Sequence, residues 1–144
     1  MKSIHILVID AQGGGLGKQL VEKIKERFPE SVIYAVGTNS VATAAMRKAR
    51  ADYTATGENA VKVGCRHADI IIGPIGMVIA DALLGEITPA MALSVAQSKA
   101  TRILIPFHHC DNIVAGCSDL SVSQLIRAAM EELEKFFAES RSSV

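Results

Sequence analysis

The sequence has no tryptophan and, in 144 residues, only four phenylalanines and two tyrosines. A core built from such a chain has to be aliphatic, and a row of aromatic platforms for single-stranded nucleic acid is not expected. An excess of charge is missing too. Fifteen Lys plus Arg balance fifteen Asp plus Glu, so no basic field exists to hold nucleic acid or an anionic lipid surface. No apolar run is long enough to span a bilayer. The longest, residues 70–80, is bounded by Asp69 and Asp81 and broken by Pro74. The amino terminus lacks a signal-peptide layout, because the apolar stretch at 4–9 is too short and ends at Asp10. Cys65, Cys110 and Cys117 are odd in number and show no C-x-x-C spacing, which fits reduced thiols and a cytoplasmic location. Repeats, low-complexity tracts and linkers are also lacking. The expectation is one domain over residues 1–139, with residues 140–144 as a frayed tail.

What the chain does contain is an alternation of short apolar runs with segments of helical period. At 49% hydrophobic and 21% charged it is a globular composition. Residues 4–9 are nearly continuous and rich in β-branched side chains, as in a strand covered on both faces. Gly13-Gly14-Gly15 follows, and then Leu16, Leu20, Val21, Ile24 and Phe28 recur at helical spacing until Pro29. Further strands are expected at 32–36, 52–55, 69–72 and 102–107, with a sixth extended segment at 112–116. Helices are expected at 40–50, 57–67, 77–84 and 88–99, and a last one after residue 121. Thr88-Pro89 offers an N-cap followed by a proline at the first helical position. Ser121-Val122-Ser123-Gln124 has the form of a capping box. This series predicts an α/β fold: a three-layer αβα Rossmann-like sandwich with a mainly parallel sheet of five to six strands in the order 3-2-1-4-5. A flavodoxin-like order is the alternative, because the third strand is short.

Ligands of such sheets bind at the carboxyl ends of the strands. That rule selects the loops at 10–15, 37–40, 56–59, 73–76 and 107–112. The first, Asp10-Ala11-Gln12-Gly13-Gly14-Gly15-Leu16-Gly17-Lys18, combines glycines that allow close backbone approach with a helix start whose N–H groups suit phosphate oxygens. A G-x-G-x-x-G reading needs glycine at 12, 14 and 17, and position 12 is Gln12. A Walker A reading fails at Gln12 and again at Gln19, where a magnesium-binding hydroxyl belongs. The plain alternative is a tight strand–helix turn without a ligand. At the end of the second strand, Gly37, Thr38 and Asn39 include no acid of the kind that reads the ribose of NAD. These small donors suit a phosphate such as that of NADP, or simply cap the next helix. The remaining candidates for cofactor contact are Thr56, Gly57, Glu58 and Asn59, and Gly73, Pro74, Ile75 and Gly76. The cofactor expected is NAD(P) or another nucleotide.

Residues 8–17, Gly37-Thr38-Asn39, Ala55-Thr56-Gly57-Glu58-Asn59-Ala60, Gly73-Pro74-Ile75-Gly76 and Gly85-Glu86-Ile87-Thr88-Pro89-Ala90-Met91-Ala92 together resemble a family of short bacterial proteins catalogued as a domain of unknown function. The resemblance covers nearly the whole chain. It implies a small Rossmann-like protein and brings no established activity or catalytic residue. Residues 68–76 are separately similar to the Ala-Asp-Ile-Val strand and loop of many NAD(P)-dependent dehydrogenases.

His108-His109-Cys110-Asp111 is the densest reactive cluster. In an extended segment His108 and Cys110 share one face and His109 and Asp111 the other, so the cluster does not build a closed metal site by itself, and no metal is expected. His108, Cys110 and Glu86 are the candidate catalytic residues. Glu58 stands at a helix start, where an anion is favoured. The leading functional reading is a nucleotide- or dinucleotide-binding protein. The alternatives are a small reductase whose site is completed by another subunit, and a non-catalytic regulatory or assembly module. A homo-oligomer is expected through residues 77–99. There Met77, Val78, Ile79, Ala82, Leu83, Leu84, Met91, Ala92, Leu93, Val95 and Ala96 present more apolar surface than one sheet face should cover.

Overall fold

A computed structural model describes residues 2–107 and 112–142. Its sheet has five strands: β1 (His5–Asp10), β2 (Val32–Gly37), β3 (Tyr53–Thr56), β4 (Ile70–Pro74) and β5 (Thr101–Ile105). Five helices join or follow them: α1 (Gly15–Arg27), α2 (Ser40–Lys48), α3 (Glu58–His67), α4 (Pro89–Gln97) and α5 (Val122–Ser142). All strand pairings are parallel and the order is β3-β2-β1-β4-β5. This is the expected Rossmann-like sandwich. The chain winds outward from β1 through β2 to β3, then crosses to β4 and β5, so the winding reverses between β1 and β4.

The apolar runs become strands because both faces are covered. Ile6 and Val8 of β1, with Ile70 and Ile72 of β4, point into a core shared with α1, α2 and α5. Leu7 and Ile9, with Ile71, point into a second core under α3 and α4. Every one of these side chains is at most 1% exposed. A period of two thus supplies both layers from the same residues. Helix α5 lays Leu125, Ile126, Ala129, Leu133 and Phe137 on the first core, where Phe137 stacks on Phe28 with ring centroids 4.1 Å apart. Its capping box is formed: Ser121 Oγ accepts from the Gln124 amide at 3.2 Å and Gln124 Oε1 accepts from the Ser121 amide at 2.8 Å. Thr88 caps α4 by accepting from the Met91 amide at 3.1 Å, with Pro89 at the first helical position.

Three expectations change. The helix foreseen at 77–84 is instead a single 3-10 turn, Ile75–Val78, followed by a tightly folded connection. Asp81, Leu83, Leu84 and Gly85 all have φ between 56° and 84°, which no right-handed helix permits. The connection closes on itself through the Asp81 amide to the Ile87 carbonyl at 2.7 Å and the Ile87 amide to the Ala82 carbonyl at 3.2 Å. Met77, Leu83 and Ile87 reach the second core from this loop, while Leu84 is 95% exposed. Helical spacing of apolar residues therefore does not imply a helix here. The sixth strand at 112–116 is absent from the described residues. Ile113 is fully in solvent, and the Cys117 amide turns back to the Val114 carbonyl at 3.1 Å. Finally, α5 continues through Ser142, into residues read from the sequence as tail. No helix among the described residues is long and apolar enough to cross a membrane.

Candidate functional site

The β1–α1 loop sits at the carboxyl edge of the sheet, where the winding reverses. A cavity of about 140 Å³ opens there, lined by residues 10–16 together with Pro74, Leu83 and Phe107. Its walls come from the ends of β1, β4 and β5 and from the β4–α4 connection. Crevices at this reversal point are where open α/β sheets take their ligands.

Asp10 organises the loop from below. It is 5% exposed; Oδ1 accepts from the Ala11 amide at 2.8 Å and Oδ2 from the Gly17 amide at 2.6 Å. A carboxylate therefore caps the first turn of α1 from the preceding strand, since Gly14 at the N-cap has no side chain to do so. Gly14 has φ +75°, and a Cβ there would lie 2.7 Å from the Cα of Ala42 in α2. A Cβ on Gly17 would lie 2.7 Å from Met46 Sδ and 2.8 Å from Asp10 Cβ. Both glycines are required by packing. Gly13 and Gly15 differ: an added Cβ would meet nothing within 4 Å. Among the described residues, no acceptor is bonded to the amides of Gly15 and Leu16.

Glu86 holds the loop from above. Its Oε1 accepts three hydrogen bonds: from the Gln12 amide at 2.9 Å, Thr38 Oγ1 at 2.7 Å and Asn39 Nδ2 at 2.7 Å. Asn39 Nδ2 also donates to the Gln12 carbonyl at 3.0 Å, and Asn39 Oδ1 caps α2 at the Ala42 amide. Partial burial would raise the Glu86 pKa, but the donors from Gln12, Thr38 and Asn39 outweigh it and hold the carboxyl below its ordinary value. The side chain is thus an anion at neutral pH, shared between the glycine loop and the end of β2.

The sequence candidates separate accordingly. Asp10, Gln12, Gly13, Gly14, Gly15, Leu16 and Pro74 line the cavity. Thr38, Asn39 and Glu86 form the adjoining network, and Gly17 lies beneath on Asp10. Gly37 is packed against Thr43, and Gly73 against the Ile9 carbonyl, so both serve close backbone approach. Gly76 faces Ala82 and Leu83 rather than the cavity, and neither it nor Ile75 lines it. Thr56 bonds Thr43 across 2.7 Å. Glu58 accepts from Thr88 Oγ1 at 2.6 Å, tying α3 to α4. Thr56, Gly57, Glu58 and Asn59 do not reach the cavity wall. His108, His109, Cys110 and Asp111 lie outside the described residues. Ala11, Leu83 and Phe107 also line the cavity, and none of them is among the cofactor contacts expected from the sequence. Phe107 falls in a loop that the strand-end rule selects, whereas Leu83 was hidden in the expected helix. Cys65 is buried, which pushes its thiol up to about 11 and leaves it a neutral core group.

Fold and site together define a small Rossmann-like α/β protein with a glycine loop at its winding reversal. The chain belongs to the family described as "Domain of unknown function (DUF3842)", whose model matches residues 5–138. No curated protein and no solved structure matches it.

Proposed function

We propose that this chain binds a nucleotide or dinucleotide, with NAD(P) the best specific candidate and its phosphates over residues 13–16. One observation carries the reading. The start of α1 leaves the amides of Gly15 and Leu16 without an acceptor among the described residues, beside two glycines whose missing side chains the packing does not explain. Backbone amides at a helix start favour phosphate oxygens. A cavity of about 140 Å³ is below the roughly 300–1,000 Å³ of sites that enclose a whole drug-sized ligand. It suits one phosphate-bearing part, with the rest of the ligand lying across the strand ends.

The test is calorimetric titration of NAD+ and NADP+ into the native chain and into Gly13→Val and Gly15→Val. Gly14 is unsuitable for this purpose, because a side chain there strikes α2. Loss of about tenfold or more in affinity, with the melting temperature kept, supports the reading. Undiminished affinity in both variants overturns it.

The reading extends to a homo-oligomer, in a narrower form than residue composition suggested. Met77, Leu83, Met91, Ala92 and Val95 are buried within the chain, whereas Leu84 and Leu93 are 95% and 56% exposed. Light scattering that returns a monomer mass at micromolar concentration contradicts this extension.

A further inference from the structure

We propose that Glu86 is the ribose-reading carboxylate of this site, so that the ligand is a nucleotide with free 2′- and 3′-hydroxyls in preference to one carrying a 2′-phosphate; the inference rests on the nucleotide reading above. In sheets of this type an acid placed about 20 residues past the glycine motif, at the end of the second strand, takes the ribose hydroxyls. Here the end of β2 reads Gly37, Thr38, Asn39, Ser40 and contains no acid. The fold brings one from a distant segment. Glu86 belongs to the β4–α4 connection, yet Thr38 Oγ1 and Asn39 Nδ2 each donate to its Oε1 at 2.7 Å.

The same oxygen accepts from the Gln12 amide at 2.9 Å. The carboxylate therefore stands between the glycine loop and the end of β2, the two segments that flank phosphate and ribose in this fold. All three donors converge on Oε1, and Oε2 has no partner among the described residues. An ionised carboxylate is an acceptor only. Its spare oxygen suits a hydroxyl donor, and its charge repels a 2′-phosphate. The hydrogen-bonded network contains no lysine or arginine to offset that repulsion.

The connection that carries Glu86 supports a role in presentation. Asp81, Leu83 and Leu84 are left-handed without being glycine. Such residues carry a conformational cost and gather where a side chain has to be held in one place.

The experiment compares NAD+ and NADP+ affinities of the full chain by calorimetry, for the native protein, Glu86→Gln and Thr38→Val. Glu86→Gln removes the charge while keeping an oxygen for the Gln12 and Thr38 donors. Thr38→Val removes one bond to Glu86 and keeps the charge. The native chain is expected to favour NAD+ by about tenfold or more. Glu86→Gln should weaken NAD+, strengthen NADP+ and bring the two within about threefold, whereas Thr38→Val should keep the preference. A purely structural clasp would lower both affinities alike in both variants. Equal binding of the two dinucleotides by the native chain, or a preference that survives Glu86→Gln, overturns this inference and leaves the nucleotide reading standing. Binding of neither by the native chain overturns both.

Discussion

Four glycines lie within residues 13–17, and they divide into two pairs that look alike in sequence and differ in space. Gly14 and Gly17 face protein. The first is left-handed against the backbone of α2, and the second leaves room for Asp10 and Met46. Gly13 and Gly15 face open space, with φ outside the left-handed region. The first pair is explained by the fold. The second is not, and that residue of unexplained glycine is what points to a ligand at the helix start. The two carboxylates divide in the same way. Asp10 is buried and caps α1, as a fold-building group does. Glu86 is partly exposed, spends one oxygen on the loop and β2, and has no partner for the other among the described residues.

The largest effect should come from the packed pair. Gly14→Ala combines a left-handed angle, costing roughly 1–2 kcal/mol, with backbone overlap costing about 1–3 kcal/mol more. At about 3 °C per kcal/mol the melting temperature should fall by about 10 °C, and Gly17→Ala, which overlaps side chains, by somewhat less. A calorimetric scan that finds either variant as stable as the native chain would erase the distinction between the pairs.

Removing the upper clamp should cost less. Glu86→Ala deprives the Gln12 amide, Thr38 and Asn39 of their acceptor. Because the site is partly open, water takes up much of the loss, and about 1 kcal/mol is expected in a urea titration. Acid should expose a smaller part of the same contribution. The folded pKa of Glu86 lies below its unfolded value, so the unfolded chain binds the extra proton between the two. The stabilisation is complete above the ordinary glutamate range and is lost as pH falls through the folded pKa. Glu86→Gln should flatten that part of the stability–pH curve, and an unchanged acid limb would show that the charge contributes nothing. Smallest of all, Gly13→Ala should shift stability by no more than about 0.5 kcal/mol.

Much of the fold was legible because it rests on periodicity. Both cores draw on alternate residues of strands such as 6–9 and 70–72, and the caps at Thr88 and Ser121 announce their helices locally. The connection at 75–87 was not legible. Its apolar residues fall at helical spacing, and only packing against the second core decides that Leu83 turns inward with a left-handed backbone while Leu84 turns out. The glycine loop could be found from its position after β1, but its division into two pairs depends on α2 and Met46, which lie far along the chain. The partnership of Glu86 with Thr38 and Asn39 spans more than forty residues and leaves no local trace. In the sequence, Glu86 is a turn carboxylate and the end of β2 lacks an acid; only the folded chain joins the two facts.

A phosphate group received by the open half of the glycine loop is what every other part of the site would serve. The most direct measurement is an amide 1H–15N spectrum of the native chain titrated with NAD+. The Gly13, Gly15 and Leu16 amides should move most, saturably and downfield, as they gain phosphate acceptors, while Gly17, already bonded to Asp10, should move little. A spectrum in which these amides stay fixed at saturating nucleotide would contradict it.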